Sequence, residues 1–175
     1  MYSREFMAGR KRKSRAAAIE EALMGLGCPF VGQLRFEFDD EPMPRQDPAV
    51  VLLAAIACDE LEPRVLRALP WLALEYCELD WNWAIKEARR RAKQNRLGFV
   101  VSLAQQLGAR SYGNEEKLAV LASAEERLFE YRLDDEDTLC QSAMPEGSKR
   151  WLRENRGREA RLWNILTDLE AAILP

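Results

Sequence analysis

Apolar residues recur at helical spacing through almost the whole chain from residue 47 onward, and this pattern restricts the fold more than any other feature. Asp47 and Pro48 fit the N-cap and first position of a helix, whose broad apolar run over residues 50–58 predicts a central place in the core. Asp80 fits a further N-cap, and similar patterns follow to the C-terminus. We therefore predict an all-α protein, an irregular multi-helix bundle of seven to eight helices with a short N-terminal β element.

The first 46 residues carry a different pattern. A helix is expected from Ser14, a plausible N-cap, to Leu26, and residues 33–38 (QLRFEF) alternate apolar and polar side chains as a strand does. The predicted organisation is a disordered basic arm (1–13), a helix–strand segment with a linker (14–46) and a helical domain (47–175).

Two boundaries are predicted inside the helical domain. Pro70 is expected to break or restart the helix around it, because proline lacks the backbone N–H that a helix interior needs. Gly157 is expected to end one helix, and a last helix is expected to carry Leu162, Trp163, Leu166 and Ile173.

The composition disfavours several kinds of enzyme. The chain has no histidine, which removes the commonest general base and the commonest metal ligand, and it has no GxGxxG, P-loop or HExxH motif. Its four cysteines match no zinc pattern and lie among apolar neighbours, which predicts buried reduced thiols. No run of 18 apolar residues and no signal-peptide pattern occur. We predict a cytoplasmic, non-membrane protein without a catalytic site, cofactor or metal.

Basic side chains are concentrated in two segments of a chain whose formal net charge is −3. Residues 84–96 carry six basic side chains and one acidic side chain, and helical spacing brings several of the basic ones to one face. Arg96 would follow at a helix start, where a cation calls for an outside anion or an internal carboxylate. A solvated outer face is the plain alternative to a binding surface here. The predicted partner-binding residues are Lys86, Arg89, Arg90, Lys93, Arg96 and Trp83.

The second basic segment, residues 10–15, has five basic side chains in six positions. Such an arm is typical of proteins that contact phosphates without reading base sequence, and a flexible solubilising tail fits the same composition. The candidate nucleic-acid-binding residues are Arg10, Lys11, Arg12, Lys13 and Arg15.

The acidic run 134–137 (DDED) has two interpretations. Clustered carboxylates can hold Mg²⁺, but acidic residues also favour a helix N-terminus, and we prefer a helix start near Thr138.

The tryptophans are expected mainly in the core, namely Trp81, Trp151 and Trp163. Trp83 lies two residues from Trp81, so the two cannot face the same way on a helix, and one of them is a candidate for a partner surface.

Several short motifs together resemble a helical region of bacterial helix-turn-helix regulators and antitoxin-like proteins. They are LEPRV (61–65), ALPWL (68–72), LDW (79–81), QNRLGF (94–99), DTLC (137–140), MP (144–145), WLR (151–153) and WNILTDL (163–169). This resemblance implies a bacterial interaction domain with a part in transcription regulation. Residues 14–46 are short for a complete DNA-binding helix-turn-helix domain, which disfavours sequence-specific DNA binding.

Three functions follow from these observations. The first is a non-catalytic, antitoxin-like or regulatory protein that docks on a protein partner. The second is a nucleic-acid-binding accessory protein that contacts phosphates through residues 10–15 and 86–96. The third, an Mg²⁺-dependent nuclease, is disfavoured because the chain lacks histidine and spaced acidic motifs.

Overall fold

The computed structural model describes residues 14–31 and 46–175. Within these ranges the chain forms eight α-helices, two very short strands and one 3-10 helix, which confirms the predicted all-α bundle. The elements are α1 (Arg15–Gly25), α2 (Pro48–Ile56), α3 (Pro63–Glu75), α4 (Trp81–Arg90), α5 (Gln94–Gly108), α6 (Glu115–Phe129), β1 (Asp137–Thr138), α7 (Glu146–Asn155), α8 (Arg158–Leu162), β2 (Ile165–Leu166) and the 3-10 helix Ala171–Ile173. The predicted arm over 1–13 and the predicted strand over 33–38 lie outside the described residues.

Three helices begin where their predicted caps stand. The side chains of Ser14, Asp47 and Asp80 accept hydrogen bonds from backbone N–H groups in the first turns of α1, α2 and α4, at 3.2, 2.9 and 3.0 Å. Each bond satisfies an N–H that has no partner within the helix. These starts depend on local chemistry, which is why sequence patterns locate them.

Helix α5 is the centre of the bundle: twelve of its fifteen residues are buried. Helix α5 packs against α3 and α6 and also contacts α2, α4 and α8. Helix α2, which was predicted to be central, packs to one side of α5. Ile19 and Leu23 of α1 belong to the same core. The bundle therefore surrounds one helix that has almost no exposed face.

The predicted break at Pro70 is wrong, because α3 runs without interruption from Pro63 to Glu75. Pro70 is buried, as are Leu69 before it and Leu72 after it, and α3 packs against the central helix. The cost of proline in a helix interior, about 3 kcal/mol, is outweighed by this tertiary packing.

The predicted long C-terminal helix is also wrong. Helix α8 ends at Leu162, and Asn164 takes the left-handed conformation (φ 53°), which asparagine tolerates better than most residues. The chain then forms β2, which pairs in parallel with β1 through Asp137↔Ile165 and Thr138↔Leu166. The amide of Asn164 donates to the carbonyl of Leu133 at 2.9 Å and fixes this turn.

A close approach between α5 and the C-terminal segment depends on a glycine. Trp163 is completely buried with its ring against Gly98, and its Nε1 donates to Ser102 Oγ at 2.7 Å. A Cβ atom at position 98 would lie less than 3.0 Å from three carbons of that ring. Gly98 therefore makes room for the largest fully buried side chain of the described core.

No helix within residues 14–31 and 46–175 combines the length and the hydropathy that crossing a bilayer requires.

Candidate interaction surface

Helix α4 has one buried face and one charged face. Trp81 is buried and its Nε1 donates to the carbonyl of Cys77 at 2.7 Å, whereas Trp83 is 36% exposed. Lys86 and Arg90 follow Trp83 at three- and seven-residue spacing and lie with it on the exposed face. Of the two neighbouring tryptophans, Trp83 is therefore the one that a partner can reach.

The basic stripe predicted from the sequence ends earlier than its spacing indicates. Helix α4 stops at Arg90, and Ala92 takes a left-handed conformation (φ 53°). The N–H of Lys93 donates to the carbonyl of Ala88 at 2.8 Å, which is the six-residue closure of a Schellman turn. Lys93 therefore does not continue the face that carries Lys86 and Arg90.

Arg96 is not part of any surface, which contradicts its assignment to the partner-binding set. Its side chain is 1% exposed, and Nε and Nη2 bind the two oxygens of Asp137 at 2.7 and 2.8 Å. Nη1 donates to the carbonyls of Ile56 and Cys58 at 3.0 and 2.8 Å. The guanidinium is thus fully engaged inside the fold, where it joins the end of α2 to β1.

Lys93 is directed to the same carboxylate, with Nζ 3.4 Å from Asp137 Oδ2. Burial acts to raise the pKa of Asp137, but the hydrogen bonds and charge of Arg96, with the charge of Lys93, hold that pKa below its ordinary value. Asp137 therefore stays ionised in the folded protein, and of the two anion sources that the sequence left open for Arg96, the internal carboxylate is present.

The acidic run does not start a helix, so the preferred interpretation of residues 134–137 is wrong. Asp137 and Thr138 form β1. The neighbouring carboxylates form ion pairs with arginines: Glu136 accepts from Arg153 at 2.8 Å, and Asp134 lies 3.6 Å from Arg132. Across the described ranges, no group of three acidic or cysteine side chains is placed to hold a metal ion.

The flank of α4 meets the end of α6 through arginine–aromatic contacts. The guanidinium of Arg89 lies 3.5 Å from the ring centre of Tyr131, and Arg127 donates to Asn82 at 2.7 Å. Arg132 lies 5.5 Å from the ring centre of Phe129, which is 47% exposed. The term "α4–α6 surface" refers below to Trp83, Lys86, Arg89, Arg90, Phe129, Tyr131 and Arg132.

Part of this surface has no marked signal in the sequence. Phe129 is the last residue of α6, and its ring meets that of Trp163 in a T-shaped contact at a centroid distance of 5.7 Å. Tyr131 and Arg132 follow it. Their place directly after a helix end, where side chains leave the buried stripe, is the signal that could have indicated them.

A second accessible feature lies between α3, α7 and the C-terminal residues. It is a groove of about 600 Å³, and Trp151, which was expected in the core, lines it with 57% of its surface exposed. None of the residues that line this groove belongs to the α4–α6 surface.

The cysteines are free and buried, as predicted. Burial raises the pKa of Cys140 to about 11, although the nearby charge of Arg96 acts in the opposite direction. A thiol with such a pKa is almost entirely protonated at neutral pH and is a poor nucleophile.

Comparison of the chain with protein-family models, curated proteins and solved structures finds no match. The resemblance to bacterial regulators and antitoxin-like proteins therefore stays a prediction.

Proposed function

We propose that this chain is a non-catalytic interaction protein, antitoxin-like or regulatory in kind, that docks on an acidic protein partner in the bacterial cytoplasm through the α4–α6 surface. The observation that carries the proposal is the exposure of Trp83 beside Lys86 and Arg90, on a helix whose other tryptophan is buried. Tryptophan, tyrosine and arginine are the residues that contribute most to binding at protein interfaces.

The free charges support an acidic partner. Among the described residues, neither Lys86 nor Arg89 has a carboxylate within ion-pair distance, and the guanidinium of Arg89 lies over the ring of Tyr131. Arg90, in contrast, pairs with Glu87 at 3.1 Å. An acidic side chain of a partner would give Lys86 and Arg89 a counterion that residues 14–31 and 46–175 do not provide.

A nucleic-acid-binding function is the second candidate, and the stacking of Arg89 on Tyr131 and of Arg132 near Phe129 favours it, because such rings can also stack on bases. The carboxylates of Glu130 and Asp134 lie in the same segments. A phosphate backbone, which is charged at every nucleotide, would meet them, whereas a protein partner can place acidic side chains opposite Lys86 and Arg89 alone. We therefore rank the protein partner first.

The test compares single charge reversals on the full chain. Lys86→Glu and Arg90→Glu change the proposed surface, and Arg158→Glu is the matched control, since Arg158 is exposed at the start of α8 and is not one of the residues of this surface. The partner is captured by the wild-type chain from a host lysate, identified and purified, and its affinity for each variant is then measured. Loss of binding with both α4 variants and retention with the control is the expected result.

Replacing Trp83 with alanine should weaken the same complex about 30-fold, which corresponds to roughly 2 kcal/mol for an interface aromatic. Circular dichroism of each variant checks that the fold is intact. Equal affinities for wild type, Lys86→Glu, Arg90→Glu and Trp83→Ala would refute the surface.

The nucleic-acid alternative makes a different prediction. Binding would fall steeply with salt and would weaken when residues 1–13, which include Arg10, Lys11, Arg12 and Lys13, are removed. Nuclease treatment of the lysate would then abolish co-purification.

A further inference from the structure

The groove beside Trp151 has the composition of a ligand site. Its walls come from the first part of α3, from residues 141–152 and from residues 167–173, and its volume of about 600 Å³ is within the range of small-ligand and peptide pockets. The buried side chains of Leu66, Leu152 and Leu169 line it together with the exposed Trp151. The groove therefore combines an apolar lining with a large, solvent-exposed aromatic side chain.

The charges in the groove limit what can fill it. Arg67 and Asp168 are its two charged lining residues, and within residues 14–31 and 46–175 neither makes an ion pair or a side-chain hydrogen bond. Nearby arginines are engaged: Arg64 pairs with Glu20 at 2.8 Å, and Arg153 pairs with Glu146 at 3.0 Å. Arg67 and Asp168 therefore have no charged partner in the part of the chain that the structure describes, and apolar side chains share the lining with them.

An occupant that complements these features carries an acidic group, an apolar group and a basic group. A lipid chain would leave both charges without a counterion, and a phosphate backbone would meet Asp168 as well as Arg67. A peptide provides all three groups on one chain. We propose that the groove binds an extended peptide segment of another protein in which an apolar side chain lies between an acidic and a basic residue.

In the bound peptide, the acidic residue pairs with Arg67 and the basic residue pairs with Asp168. The apolar side chain packs against Trp151 and the leucines. This site shares no residue with the α4–α6 surface, so the proposal for the groove is independent of the function proposed above.

Gly147 allows the groove to be closed without disturbing the fold. Gly147 lines the groove, and a Cβ atom at this position meets no other atom within 4 Å, so a large side chain fits at the groove wall without a clash. Gly147→Trp is therefore the blocking variant, and Gly147→Ala is its control, which leaves most of the groove open.

The experiment selects peptides from a random phage-displayed library on the wild-type full chain and, in parallel, on Gly147→Trp. The expected result is a set of acidic–apolar–basic sequences that is enriched on the wild type and on Gly147→Ala only. A synthetic peptide from this set should bind Arg67→Glu about fivefold more weakly, and replacing its acidic residue with lysine should restore binding.

Equal enrichment on the wild type and on Gly147→Trp would overturn the proposal, as would enriched sequences without the charge pattern. The oligomeric state is measured by sedimentation on the same chains. A dimer that Gly147→Trp dissociates would also overturn the proposal, because a second copy of the chain would then be the occupant.

Discussion

Replacing Gly98 with alanine should destabilise the protein although alanine is the better helix former. In an unobstructed helix interior this change stabilises by up to about 1 kcal/mol. Here the added Cβ would overlap three ring carbons of Trp163, which is completely buried and cannot move without disturbing the core. The sign of the effect is therefore decided by the contact and not by helix propensity.

The magnitude follows from the contacts that the ring would lose. Overpacking of a well-packed core costs about 3 kcal/mol at the upper end of its usual range. Displacement of the ring also stretches the 2.7 Å hydrogen bond from Trp163 Nε1 to Ser102, which contributes about 1 kcal/mol. After subtraction of the propensity gain, Gly98→Ala should lower the free energy of unfolding by about 3 kcal/mol.

Urea denaturation followed by far-ultraviolet circular dichroism measures this change. Gly147→Ala is the matched control, because it is the same substitution in a helix where the new Cβ meets nothing within 4 Å, and it should be neutral or slightly stabilising. In a protein that already carries Trp163→Phe, Gly98→Ala should lower the free energy of unfolding by less than it does in the wild type, since the smaller ring leaves room for the Cβ atom. A Gly98→Ala protein as stable as the wild type would refute this description of the core.

Three further predictions concern the turn after α4, the buried ion pair and the thiols. Ala92→Gly should raise the free energy of unfolding by about 1 kcal/mol, because glycine adopts the left-handed conformation without strain; a lower urea midpoint would contradict this. Asp137→Asn should cost about 3 kcal/mol at neutral pH by leaving Arg96 buried without its counterion. The pKa of Asp137 is lower in the folded than in the unfolded state, so its contribution to stability is complete above the unfolded pKa and is lost as the pH falls through the folded pKa. The free energy of unfolding of Asp137→Asn should therefore change less with pH below about pH 4 than that of the wild type. Cys140 should react with a thiol reagent only as fast as the protein opens, and rapid labelling in the native state would show that the site is accessible.

The helices of this fold could be predicted because their signals are local. The caps at Ser14, Asp47 and Asp80 and the apolar stripe of α4 depend on residues within one or two turns. The C-terminal segment could not be predicted in this way. Its apolar spacing fits a helix, but it pairs with β1, which lies almost 30 residues earlier in the chain, and the left-handed Asn164 directs it there.

The candidate site could be predicted only in part, for the same reason. Trp83, Lys86 and Arg90 lie on one exposed face because helical spacing places them there. Phe129 and Tyr131 reach this surface through tertiary packing of α6 beside α4, which no pattern in either segment indicates. The exposure of Trp151 has no local signal either, since Trp151 and Leu152 are adjacent apolar residues and only the fold decides that Leu152 is the one buried.

The fold divides the basic segment 84–96 into an exposed part and a part that pairs inside the protein. For Arg96 the sequence left open an outside anion or an internal carboxylate, and the structure contains the second, because Arg96 and Lys93 both pair with Asp137. The turn at Ala92 separates these two residues from the basic residues of α4, because it ends the helix before Lys93. Substitutions that remove the buried pair should therefore act on stability, whereas substitutions at Lys86 and Arg89 should act on binding with little change in stability. This separation allows a structural and a binding role to be distinguished within one basic segment by measuring both quantities on the same variants.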